Sequence, residues 1–182
     1  CGLTHASLDA TAALRDEYAI TADDIREICV RLPHDHLRSC DIPEPTTGAQ
    51  LKFSIRRVIA MVIAGFDTAD PSIYTAETAT HHDLIMLGKK VRIEAEERDP
   101  SCYVADVSIT LGTGQTVSKF VNVGLPATNL ERQWHGLRGK FRRLVAPVIG
   151  SGYAERMISL LSEFDELDNV LPLLALTTRR KR

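Results

Sequence analysis

Between Leu51 and Phe66 the residues Leu51, Ile55, Val58, Ile59, Val62, Ile63 and Phe66 fall at i, i+4, i+7, i+8, i+11, i+12 and i+15. That spacing keeps one face of an α-helix apolar for roughly four turns. A stripe of this length needs a broad apolar partner. Alternating segments elsewhere in the chain supply one. Ile28, Val30 and Leu32 alternate with Glu27, Cys29 and Arg31, and Pro33 ends that strand. "VRIEAEE", "YVADVSITL" and "QTVSKFVNV" read as three more strands, with Gly112 and Gly114 marking a hairpin turn between the last two. The pattern predicts an α+β layer: an antiparallel sheet of about four strands with helices on one face, ending near Val123.

Other helices fit around that layer. Thr4 is placed to cap a helix running to about Tyr18, with the small side chains Ala6, Ala10, Ala12 and Ala13 allowing close packing. "PEPTT" is an extended connector, and Thr47 with Gln50 has capping-box spacing ahead of the long stripe. A shorter helix is expected from Thr80, with Asp83 three residues on. Beyond the layer, Leu130, Trp134, Leu137, Phe141, Leu144, Val145 and Val148 recur at steps of three and four until Pro147 ends or bends the helix. Met157, Leu160, Leu161 and Phe164 mark another. The boundary is expected between Gly124 and Asn129. This gives an α+β domain over 1–124 and C-terminal helices over 125–182, each with an apolar stripe in need of a partner.

Composition limits the function. With 44% hydrophobic residues the chain can build a sizeable core, and a net charge of −2 offers no general attraction to nucleic acid or to a membrane surface. "VIAMVIAGF" is far shorter than the roughly 20 apolar residues of a membrane span. Cys1, Cys29, Cys40 and Cys102 form no CxxC pair, and reduced thiols in a cytoplasmic protein are the expected state. The terminal "RRKR" is read as a solvated basic tail.

Several clusters carry potential chemistry. His34, Asp35 and His36, and again His81, His82 and Asp83, resemble metal-ligand groups. Zinc needs three or four converging ligands, and neighbouring histidines on an extended strand point apart, so no metal is expected. Lys52, Arg56 and Arg57 lie early in the long stripe, where Lys52 and Arg56 share a helix face. Cations there oppose the helix dipole unless an anion is bound nearby, which points either to a carboxylate ligand or to a solvated face. His5 opens the first helix, with Asp9 one turn on. The positive end of the dipole favours a neutral imidazole able to act as a base, and Asp9 is placed to orient it. By spacing alone, a surface histidine is the commoner explanation.

"THASLDA", "PEPTTGAQLKFSI", "VRIEAEE" and "LRGKFRRLVAPVIG", in this order, resemble the C-terminal half of the MmgE/PrpD family, from Leu3 to about Leu176. That family includes 2-methylcitrate dehydratase, cis-aconitate decarboxylase and iminodisuccinate epimerase. The resemblance implies a lid domain over 1–124 and helices returning to a helical domain most of which lies outside these 182 residues. It implies a cofactor-independent enzyme acting on small di- and tricarboxylates, a cytoplasmic homodimer without nucleic-acid or membrane partners, and little activity for this stretch by itself. The absence of a starting Met and the two unpartnered stripes agree with that expectation. The family's "TH" histidine matches His5 as a catalytic acid/base residue. The "KFS" block matches Lys52 and Ser54 as substrate-binding residues. Arg57 stands where members often carry Tyr, and is a further candidate for a substrate carboxylate. The alternative is a non-catalytic α+β module whose helical tail mediates association.

Overall fold

The computed structural model describes residues 1–99 and 103–177. Cys102 and the "RRKR" cluster lie outside the described residues. The chain divides into two compact units, Cys1–Pro126 and Ala127–Arg182.

The first unit is α+β. Its sheet contains β1 (Ile25–Pro33), β2 (Val91–Glu96), β3 (Val104–Leu111) and β4 (Thr116–Asn122) in the order β2-β1-β3-β4. The three expected strands and the earlier alternating segment all form. The sheet is mixed rather than wholly antiparallel, because β1 and β2 run parallel with Val30 opposite Ile93, while β1–β3 and β3–β4 are antiparallel. A parallel pair needs a long crossover connection, and the helical segment between Pro33 and Val91 provides it. The hairpin turns through Gly114, at φ 90°.

Period-two geometry gives the sheet two unlike faces. Ile28, Val30, Leu32, Val107, Ile109 and Val117 point into the core. Between them in sequence, Arg31 and Glu94 pair at 2.6 Å, and Arg92 pairs with both Glu94 and Glu27, on residues that keep about a third to a half of their side-chain surface in water.

The core face is covered by α1 (His5–Tyr18), which packs on β3 and β4, and by α4 (Ile55–Ile63), which packs on α1 and β2. Ala6 and Ala10 are buried at the contact side of α1, where small side chains permit close approach. Arg15 of α1 donates to the Val62 carbonyl at 2.5 Å, adding to the bond that carbonyl already accepts from the Gly65 N–H at the end of α4. A shorter helix, α2 (His34–Cys40), follows β1 directly. Residues 34–36 are therefore helical, not extended.

The long stripe is broken. It forms α3 (Gly48–Leu51), then a non-helical step, then α4. Ser54 is extended at φ −110° and ψ 90°, and its backbone bridges to Asp41, with the Ile42 N–H donating to the Phe53 carbonyl at 3.0 Å. Those backbone bonds across the chain outweigh helix continuation. Thr47 does cap α3, accepting from the Gln50 N–H at 3.2 Å, but the Gln50 side chain reaches Thr46 instead of completing the box. The helix expected from Thr80 also splits, into α5 (Ala76–Ala79), capped by Thr75, and α6 (His82–Gly88), which packs on α4. His81, not Thr80, takes the N-cap position of α6, and the Thr80 hydroxyl donates to the Ala76 carbonyl at 2.9 Å.

In the second unit, α7 (Leu130–Ile149) runs two residues past Pro147 before Gly150, at φ 91°, ends it. It packs on α8 (Ser151–Ser162), which in turn meets α9 (Leu171–Thr177). Arg142 holds Glu155 with two bonds of 2.5 and 2.9 Å. A cavity of about 310 Å³ lies between α7 and α8, lined by Trp134, Leu137, Phe141, Leu144, Ile158 and Leu161 among others. No side chain of α7 is fully buried, and Leu130, Leu137 and Val148 are more than half exposed. Among the described residues no helix is long and apolar enough to cross a membrane.

Candidate active site

The start of α1 presents His5 to solvent, on a helix whose inner side is fixed by Ala6, Ala10 and Leu14. Thr4 occupies the N-cap position with helical backbone angles, its hydroxyl donates to the Cys1 carbonyl at 2.8 Å, and no side chain caps α1. A 3-10 turn, Gly2–Thr4, runs directly into α1, and the Thr4 and His5 N–H groups donate back to the Cys1 and Gly2 carbonyls. One turn on, partial desolvation pushes the Asp9 carboxyl above the usual carboxylate range, and the charge of His5 pulls it back. The opposing pull identifies the two side chains as electrostatic neighbours, as their i, i+4 spacing requires.

Lys52 follows α3 as its C-cap residue and is exposed. Its ammonium lies 5.3 Å from the centroid of the Tyr74 ring.

The other two predicted residues sit deeper. Ser54 is the N-cap residue of α4, fully buried, and its Oγ has no hydrogen-bond partner among the described residues. Arg57 is 6% exposed and donates from Nη1 to the Ala79 carbonyl at 2.8 Å. Burial lowers its pKa from the usual guanidinium value. A carboxylate contact from Arg57 requires the guanidinium to leave that carbonyl.

The break before α4 changes one expectation outright. Lys52 and Arg56 do not share a helix face, because the helix is broken between them at Ser54, whose backbone is extended. Arg56 instead pairs with Asp41 at 3.2 Å and donates to the Val91 carbonyl at 2.5 Å. Lys52 is left as the exposed cation of the group.

Tyr74 is the residue that spacing alone overlooked. It lies 22 positions from Lys52, with no shared periodicity to join them, and only the fold brings the ring beneath the ammonium. The histidine clusters among the described residues form no metal site, although α2, which carries His34 and His36, packs against residues 2–4 just ahead of His5. On α2 the positions of His34 and His36 are two residues apart, about 200° around the helix. Among the described residues no group of three or more His, Cys, Asp or Glu is arranged to hold a metal ion.

The arrangement offers an exposed imidazole beside a carboxylate on the first turns of α1, and an exposed ammonium just after α3. Such a set can move a proton at an anionic substrate. The family described as the MmgE/PrpD C-terminal domain matches residues 1–166. No protein of curated function matches the chain.

Proposed function

The chain belongs to the MmgE/PrpD family, and from that premise we propose that it supplies one side of the active site of a cofactor-independent enzyme for small di- and tricarboxylates. The chemistry we assign is 2-methylcitrate dehydratase-like: removal of a proton next to a carboxylate and loss of hydroxide from the neighbouring carbon as water. Decarboxylation and epimerisation share the same carbanion-like stage. The setting is a cytoplasmic homodimer.

In this reading His5 accepts or returns the proton, and Asp9 orients its ring. A carbanion forming beside a carboxylate spreads negative charge onto the carboxylate oxygens, and the Lys52 ammonium stabilises that charge as it grows. Ser54 supports the turn that presents Lys52. Arg57, held on the Ala79 carbonyl, braces the helix behind it unless substrate draws it away. The observation that carries the proposal is the exposed His5 imidazole one helical turn from the Asp9 carboxyl on α1, with the exposed Lys52 ammonium on the same α+β unit.

The test is His5→Ala in the protein expressed from its complete gene, assayed with 2-methylcitrate and cis-aconitate. Loss of a positioned acid/base group should lower kcat by about 10²- to 10⁴-fold. Circular dichroism should be unchanged. Undiminished turnover removes His5 from the mechanism.

A second reading, association through the helical tail, is favoured by the exposed Leu130, Leu137 and Val148 of α7. Sedimentation of a Leu137→Ser, Val148→Ser variant tests it, since an unchanged association state leaves that face without a role.

A further inference from the structure

We propose that Tyr74 is a positioning residue for Lys52, its ring a fixed platform that holds the ammonium where a substrate carboxylate meets it. This rests on the reading of Lys52 as a carboxylate contact.

A lysine at a helix end in water samples many rotamers, and fixing such a side chain carries an entropic cost. Lys52 has no ion pair or hydrogen bond of its own among the described contacts, yet its ammonium sits 5.3 Å from the Tyr74 centroid. That is within cation–π range. The ring engages one side of the ammonium and leaves N–H groups on the other side to face an incoming anion.

A platform must itself be rigid, and Tyr74 is held in three ways. Its hydroxyl donates to the Thr68 carbonyl at 2.8 Å. Its half-buried side chain packs on the hydrophobic core. Its carbonyl is pressed against Gly48, where an added Cβ would stand 1.8 Å from the Tyr74 oxygen and 2.5 Å from its carbon. Gly48 opens α3 and Lys52 closes it. One short helix therefore meets Tyr74 at both ends, by its backbone at Gly48 and by its side chain at Lys52. The contact fixes where α3 lies and where its terminal cation points.

The experiment uses the protein expressed from its complete gene, with its lysines reductively ¹³C-methylated, which preserves their charge. The Lys52 resonance, assigned by its loss in Lys52→Arg, should lie upfield of the other lysines because of the Tyr74 ring current. Tyr74→Phe keeps the ring and should keep that shift. Tyr74→Leu should abolish it, and Gly48→Ala should reduce it, with circular dichroism confirming that the variants fold. Citrate added as a probe should move the Lys52 resonance, at a half-saturating concentration about two- to fivefold higher in Tyr74→Leu than in the wild type or Tyr74→Phe. An unshifted Lys52 resonance, or one indifferent to Tyr74→Leu, overturns the platform whatever the enzyme does. A ring-shifted Lys52 that ignores citrate overturns the carboxylate role and the positioning proposal built on it.

Discussion

Arg57 donates from Nη1 to the carbonyl oxygen of Ala79 at 2.8 Å, joining the interior of α4 to the last residue of α5. The bond lies in a place closed to water, since Arg57 is 6% exposed and Ala79 is fully buried. Removing the guanidinium leaves a buried acceptor without its donor and a space where the side chain packed. Arg57→Ala is expected to cost about 2–4 kcal/mol in urea denaturation. Arg57→Met retains much of the stem and should cost less. A loss below about 1 kcal/mol for the alanine variant would show that the guanidinium is not part of the packed interior.

The pair of His5 and Asp9 predicts a pH response. Desolvation raises the Asp9 pKa above its unfolded value. The folded state therefore holds its proton more tightly, and stability attributable to Asp9 falls as pH rises from the unfolded value through the folded one. Asp9→Asn should flatten stability across that acidic window and relatively favour the variant above it. His5→Gln removes the charge that opposes the shift, so the Asp9 carboxyl should titrate at higher pH in that variant. Carboxyl NMR titration measures both. A downward movement of Asp9 in His5→Gln would show that the two groups are not coupled as described.

The cysteines should differ in reactivity. Burial, followed by the nearby Asp41 charge, pushes the Cys40 thiol up to about 11, and burial also raises Cys29. Cys1 is only partly buried. At pH 8 a two-unit rise leaves roughly a hundredfold less thiolate. Iodoacetamide followed by peptide mapping should label Cys1 well before Cys40 and Cys29, and label those two only as the chain unfolds. Early modification of Cys40 in folded protein would contradict its buried setting.

How much of this was legible follows from which forces act locally. The alternation of Ile28, Val30 and Leu32 reports a half-buried strand directly, because a residue's side of a strand depends only on its position. The parallel pairing of β1 with β2 was not legible, since direction depends on the route taken through the intervening helices. The apolar stripe runs without interruption across Lys52, Phe53 and Ser54. Only backbone pairing with Asp41 and Ile42 interrupts the helix, and no side-chain period records such a bond. That break separated Lys52 from Arg56. Arg57 is inside because α6 covers a second face of α4, leaving eight of its nine residues buried. A single-stripe helix would have left it in water. His5 and Lys52 were identified through resemblance to a family, and only the fold could add Tyr74.

Glycines give two predictions of opposite sign. At Gly48 a methyl group would collide with the Tyr74 carbonyl, and both partners are backbone, so neither yields by a simple rotamer change. Gly48→Ala should destabilise the chain by about 1–3 kcal/mol or more, the range expected of an overpacked contact. Gly136 lies inside α7 with nothing within 4 Å of its added Cβ. There alanine brings only its better helix propensity, and Gly136→Ala should stabilise by about 0.5–1 kcal/mol. Thermal and urea unfolding of the two variants should move in opposite directions. Two shifts in the same direction would mean that one of these sites is wrongly described. A destabilising Gly136→Ala would point to a close neighbour at the α7 surface, and a harmless Gly48→Ala would release Tyr74 from the contact that holds it beneath Lys52.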